Sequence, residues 1–139
     1  MRVVLDTNVV VSALIWGGKP WDLVQLAIDG GIELYTSPVL LDELHEVLSR
    51  ENLRSRLGPE YESVDEAVTR YGALTISVSP TSTPRVVPRD ADDDHVVAAA
   101  VAGGADLIVS GDRDLLTMGA YGAIRIVTPT EALQLIATL

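Results

Sequence analysis

Two periodicities divide the apolar residues of this chain. Arg2 to Leu5 (RVVL) is a short apolar run ended abruptly by Asp6-Thr7-Asn8. Such a run predicts a strand covered on both faces, as in a parallel sheet. Similar segments at Glu33–Thr36, Leu74–Val78, Leu107–Ser110 and Ala123–Val127 predict four more strands. Between them the apolar positions recur at helical spacing, over Val9–Trp16, Trp21–Asp29, Pro38–Ser49, Asp92–Ala102 and Thr130–Leu139. Glu51 to Ala73 reads as one or two surface helices broken near Gly58-Pro59, and Arg113 to Thr117 as a short helical turn. Gly17-Gly18-Lys19-Pro20 and Gly30-Gly31 punctuate the pattern, and Ser79 to Pro88, with three prolines, reads as an extended loop. Strands alternating with helices predict a three-layer α/β/α sandwich around a central, mainly parallel five-stranded sheet, in a single domain over residues 1–139.

The acids sit at informative places in this pattern. Asp6 directly follows the first strand, and Asp112 follows the fourth across Gly111. If those strands are neighbours where the strand order reverses, both carboxylates face one crevice at the carboxyl ends of the sheet. Ser37-Pro38 opens a helix with a capping hydroxyl and a proline in its first turn. At about 100° per residue, Glu43 falls beside Leu40 and Val47 at the edge of that helix's apolar stripe, while Asp42 points away and Glu46 lies further round. Asp90, Asp92, Asp93 and Asp94 crowd the start of an alanine- and valine-rich helix. A cap and the helix dipole explain one or two acids there, but three consecutive aspartates exceed what capping needs. Asp94 shares a face with Val97, Ala98 and Val101. That helix is apolar nearly all round, so geometry barely separates Asp94 from Asp93.

Composition narrows the chemistry. The chain has 139 residues and no cysteine, which excludes a disulfide framework, a thiolate metal site and a cysteine nucleophile. Phenylalanine is also absent, so the core must be aliphatic. An acid as early as Asp6 argues against a signal peptide, and no apolar run is long enough to span a bilayer. The expectation is a cytoplasmic protein with no membrane contact. The net charge is −10, which on its face argues against a nucleic-acid partner. Acids grouped around a divalent cation are neutralised by it, however, and the bases are uneven: Arg50, Arg54 and Arg56 lie together, while Arg85, Arg89 and Arg113 flank the acidic stretch. Several carboxylates in one low-dielectric crevice repel one another unless a cation sits among them. All-oxygen ligation points to Mg²⁺ or Mn²⁺ rather than zinc, and such a site suits phosphodiester hydrolysis. His45 lies off the apolar stripe and His95 follows Asp94; both read as surface or packing residues rather than as a general base. Trp16 and Trp21 read as packing or dimer-contact residues.

LDTNV (Leu5–Val9), SPVLLDELHEVL (Ser37–Leu48) and DADDDHVVAAAVAGGADLIVSGDRDLL (Asp90–Leu116) resemble the successive motifs of PIN-domain proteins. They are most similar to the VapC-like branch, the toxins of prokaryotic toxin–antitoxin pairs. The resemblance implies a Mg²⁺- or Mn²⁺-dependent endoribonuclease in which Asp6, Glu43, Asp94 and Asp112 are the metal-binding, catalytic acids. It further implies supporting roles for Asn8 and Ser110, with Asp93 and Asp114 as further supporting acids, and it makes Asp90, Asp92 and Asp93 approach and cap to Asp94 rather than ligands. Its expected partners are an RNA substrate, an antitoxin protein and a second copy of the chain in a homodimer. Two alternatives stand beside it. One is a non-catalytic PIN-like scaffold that acts through protein or RNA binding. The other is an aspartyl-phosphate phosphohydrolase with Asp6 as nucleophile; that chemistry needs a second acid where this chain has Asn8, and a lysine, of which there is only Lys19.

Overall fold

The structure, a computed structural model, describes residues 1–85 and 91–139, with residues 91 and 92 as backbone. Arg89, Asp90 and the side chain of Asp92, singled out above, lie outside the described residues. The elements follow in the order β1 (Arg2–Leu5), α1 (Thr7–Ile15), α2 (Gly18–Ile28), β2 (Glu33–Thr36), α3 (Pro38–Leu48), α4 (Glu51–Arg54) and α5 (Val64–Leu74). The chain continues with β3 (Ile76–Ser77), α6 (Ala91–Gly103), β4 (Leu107–Val109), α7 (Arg113–Met118), β5 (Ala120–Tyr121), β6 (Ile124–Val127) and α8 (Pro129–Ala137).

The sheet runs β3-β2-β1-β4-β6-β5. All pairings are parallel except β5–β6. Successive strand residues alternate between two cores, as the pleat requires. Val3, Leu5, Leu34, Leu107, Val109 and Val127 pack with apolar residues of α1, α2, α3, α5 and α8 on one face. Val4, Tyr35, Ile108 and Ile126 pack against α6 on the other. This is the expected α/β/α sandwich, and it explains why Val3–Leu5 of β1 and Leu107–Val109 of β4 are apolar at successive positions.

The sheet has six strands rather than five. The extra one, β5, forms a hairpin with β6 through Gly122-Ala123, where Gly122 takes φ 59°. A two-residue connection with glycine at positive φ is what such hairpins favour, but two strand residues are too few to register as an alternating pattern. The third strand is also shorter than Leu74–Val78. Leu74 ends α5 and packs on the first core, leaving only the exposed pair Ile76-Ser77 at the sheet edge. Nor does Gly17–Pro20 separate α1 from a helix starting at Trp21. α2 begins at Gly18, with Pro20 in its first turn, where a missing N–H costs no helical bond.

Helix α6 reaches the sheet closely because Val96 to Ala100 are small or β-branched and all buried. At its end, a Cβ on Gly103 would stand 2.8 Å from Cδ2 of the Tyr35 ring. That ring is buried and lies under the Arg2 guanidinium, which also donates to the Gly103 carbonyl at 3.1 Å. Gly103→Ala is therefore expected to destabilise by about 1–2 kcal/mol, the overpacking cost outweighing the gain in helix propensity. Chemical denaturation would read this as a lower midpoint at unchanged slope.

Candidate metal centre

The strand order reverses between β1 and β4, which pair directly with Leu5 opposite Val109. Open α/β sheets hold their ligands at the carboxyl ends of strands at such a reversal. The next residues of both strands meet there. The Asp6 amide donates to the Val109 carbonyl at 2.9 Å, continuing the ladder past the strand. Ser110, fully buried, donates its hydroxyl to Asp6 Oδ2 at 2.8 Å, and its Oγ accepts the Asp112 amide at 2.9 Å. Ser110 thus ties Asp6 to the loop that carries Asp112.

Asp6 occupies the N-cap position of α1, yet its side chain makes no capping hydrogen bond. It is only 5 % exposed. Capping is the ordinary reason for an aspartate at that position, and it does not account for this one. Asp112 is different: its Oδ2 accepts the Leu115 amide at 3.1 Å and caps α7. That bond holds one carboxylate oxygen and fixes the side chain's direction.

These residues open onto a cavity of about 190 Å³ lined by Asp6, Asn8, Glu43, Glu46, Val47, Arg50, Asp93 and Asp112. Four parts of the fold converge on it: the β1–α1 junction, the β4–α7 loop, α3, and α6 through Asp93. The α3 residues are Glu43, Glu46 and Val47, followed by Arg50 just beyond the helix. Their spacing of 0, 3, 4 and 7 lays them along one helical face. Of the sequence-derived set, Asp6, Glu43 and Asp112 are brought together, with Asn8 on the same wall and Ser110 behind Asp6.

The acids of α6 divide. Asp93, 4 % exposed, lines the cavity with the others. Asp94, 1 % exposed, is not among its lining residues; Arg85 Nε lies 3.4 Å from Asp94 Oδ2. The reason lies in the helix. Asp93 heads the row Asp93–Val97–Ala100, which stays buried throughout, whereas the row from Asp94 through Ala98 emerges at Val101, 53 % exposed. Asp114 is exposed in the first turn of α7, where a negative charge suits the helix dipole; it does not line the cavity. Glu46 and Arg50 were not singled out in the sequence as site residues. They pair with each other at 3.8 Å on exposed side chains; the helical reading set Glu46 further round than Glu43, yet both line the same cavity. Lys19, the lysine an aspartyl-phosphate enzyme would need here, is not among the cavity residues.

The donor set fits a hard divalent cation. The cavity presents carboxylates and one amide, with no sulfur or imidazole donor. Among the described residues, no three histidine, aspartate or glutamate side chains stand close enough together, as placed here, to hold a metal ion. The histidines stand elsewhere. His45 bonds to Asp65 on the exposed side of α3, and His95 borders a separate pocket beside Ser37 and Pro38.

Comparison with known proteins points the same way. The PIN-domain family profile matches residues 2–114. The chain is also similar to an uncharacterized protein of Methanocaldococcus jannaschii, with 33 % identity over 119 residues that cover 85 % of this chain and 75 % of the relative. Among the described residues, no helix is long and apolar enough to cross a membrane.

Proposed function

This chain belongs to the PIN-domain family, whose fold is that of nucleases that typically use divalent metals, and from that premise we propose that it is a Mg²⁺- or Mn²⁺-dependent endoribonuclease. The observation that carries the reading is the meeting of Asp6, Glu43, Asp93 and Asp112 in one cavity at the strand-order reversal. A scaffold that acts only by binding has no use for four mutually repelling carboxylates in a partly buried cleft.

Asp6, Glu43, Asp93 and Asp112 would hold the ion, and the resemblance adds Asp94 to that set. When bound, the ion supplies charge neutralisation for the phosphate and acidifies a water. The protein's own residues do the positioning. Ser110 holds Asp6 and the Asp112 backbone in one network, so the two strand-end carboxylates keep a fixed spacing. Asn8, exposed on the same wall, presents an amide that can bond a phosphate oxygen or a water. Glu43, half-buried at the cavity's edge, would complete the ion's shell or orient a water.

In the cell, this reading makes the protein the cytoplasmic toxin of a toxin–antitoxin pair, a homodimer restrained by its antitoxin. Residues 1–139 act as one catalytic domain.

The test is cleavage of single-stranded RNA. Cleavage is expected in Mg²⁺ or Mn²⁺ and lost in EDTA, with calorimetry detecting divalent-ion binding by the RNA-free protein. Undiminished cleavage in EDTA would overturn the metal mechanism; absence of both cleavage and ion binding would favour the scaffold.

A further inference from the structure

Arg50 is the one cationic side chain among the described residues lining the acid cavity. It stands just beyond α3 and is also the N-cap residue of α4. The segment that follows is amphipathic. Leu53 and Leu57 pack against the core beneath the sheet, while Arg54 and Arg56 are exposed. Arg54 comes one helical turn after Arg50, its amide bonded to the Arg50 carbonyl at 2.9 Å. Three of the chain's ten basic residues thus fall within seven positions, in a segment that begins at the cavity wall of a protein with net charge −10.

We propose that Arg50, followed by Arg54 and Arg56, forms the track along which the phosphates of a single-stranded RNA approach the acid cavity. This rests on the nuclease reading and deepens it, by assigning the positive surface that an acidic nuclease needs. Arg50 is a positioning residue. Its present partner, Glu46, is held at 3.8 Å with both side chains more than half exposed, so the pair is weak and readily exchanged. A phosphate is the better partner, because the planar guanidinium fork meets it with two parallel charge-assisted hydrogen bonds. Glu46 therefore competes with the substrate for Arg50.

The experiment is steady-state cleavage of a short single-stranded RNA, paired with fluorescence anisotropy of the same labelled RNA across a salt series, in Mg²⁺ and in EDTA. Arg50→Ala is expected to raise KM about tenfold with kcat within about twofold. Arg50→Lys should recover part of the loss, because it restores charge without the fork. Glu46→Gln should lower KM. The salt dependence of binding should flatten by about 0.7 in log–log slope for Arg50→Ala, and by about 2 when Arg54 and Arg56 are also replaced by alanine. Arg125→Ala, at the amino-terminal end of β6, is the control and should change neither parameter. Equal losses in Arg125→Ala and Arg50→Ala would reduce the effect to bulk charge and overturn the track. So would an unchanged KM in Arg50→Ala while the wild type still cleaves, and the nuclease reading would survive that result. A wild type that neither cleaves nor binds RNA would remove both.

Discussion

Asp6→Asn is expected to abolish cleavage and, in EDTA, to make the protein more stable. The two effects have one cause. Asparagine keeps the size of aspartate and can still accept the Ser110 hydroxyl that now meets Asp6 Oδ2 at 2.8 Å, so the β1–β4 junction survives. What disappears is one buried negative charge among Glu43, Asp93 and Asp112. Without an ion those charges repel in a low-dielectric cleft, and removing one should stabilise the fold by on the order of 1 kcal/mol. With saturating Mg²⁺ the order reverses. An ion that binds only the folded state stabilises it by about 2.7 kcal/mol at a concentration a hundred times Kd, and Asp6→Asn forfeits most of that. Polarisation and charge neutralisation by a bound cation are worth several kcal/mol in the transition state, and about 1.4 kcal/mol is tenfold in rate. Cleavage should therefore fall at least about a hundredfold. Thermal melts of both proteins, with and without Mg²⁺, read the crossing directly. A variant that is less stable in EDTA, or that cleaves as well as the wild type, would contradict the assignment of Asp6 as a charge held for a cation.

The architecture was legible wherever burial is two-sided. Val3, Val4 and Leu5 are apolar in succession because β1 lies between α1 and α6, and Asp6 breaks the run where the strand meets the crevice. The same logic located β2, β4 and β6 and put Asp6 and Asp112 just past strand ends; that the two strands are neighbours was a condition the pattern could not supply, and the sheet order meets it. Legibility failed where an element is too short or buried all round. β5 has two residues and no period to display. Ile76-Ser77 is an exposed edge, and its apolar neighbour Leu74 belongs to a helix. α6 buries Val96 to Ala100 without interruption, so its sequence carries little record of which side faces the sheet, and an apolar residue at its outer end, Val101, points to solvent. Arg50 and Glu46 are a different omission. Helical spacing put Glu46 further round than Glu43, and charges that pair with each other on an exposed helix face look like ordinary surface residues, although both line the cavity.

The pair Asp93 and Asp94 gives the sharpest test of how the site is built. Family resemblance puts Asp94 in the metal set; the cavity holds Asp93. We expect Asp93→Asn to cut cleavage at least about a hundredfold, on the same reasoning as for Asp6, and to weaken divalent-ion binding measured by calorimetry. Asp94→Asn should cost markedly less activity. The pairing of Asp94 with Arg85, whose side chain is 77 % exposed, ties α6 to the loop before it. The row from Asp93 through Val97 to Ala100 stays inside the fold for two turns, which fixes the direction of Asp93 before any ion arrives. Preorganisation of that kind is what a carboxylate needs in order to hold a cation in place. Loss of ion binding in Asp94→Asn with retention in Asp93→Asn would return the ligand role to Asp94. It would also mean that the first turn of α6 rotates when the ion binds, bringing the Asp94 row to the cavity. Equal losses in both variants would make the two aspartates a joint ligand pair at the helix start.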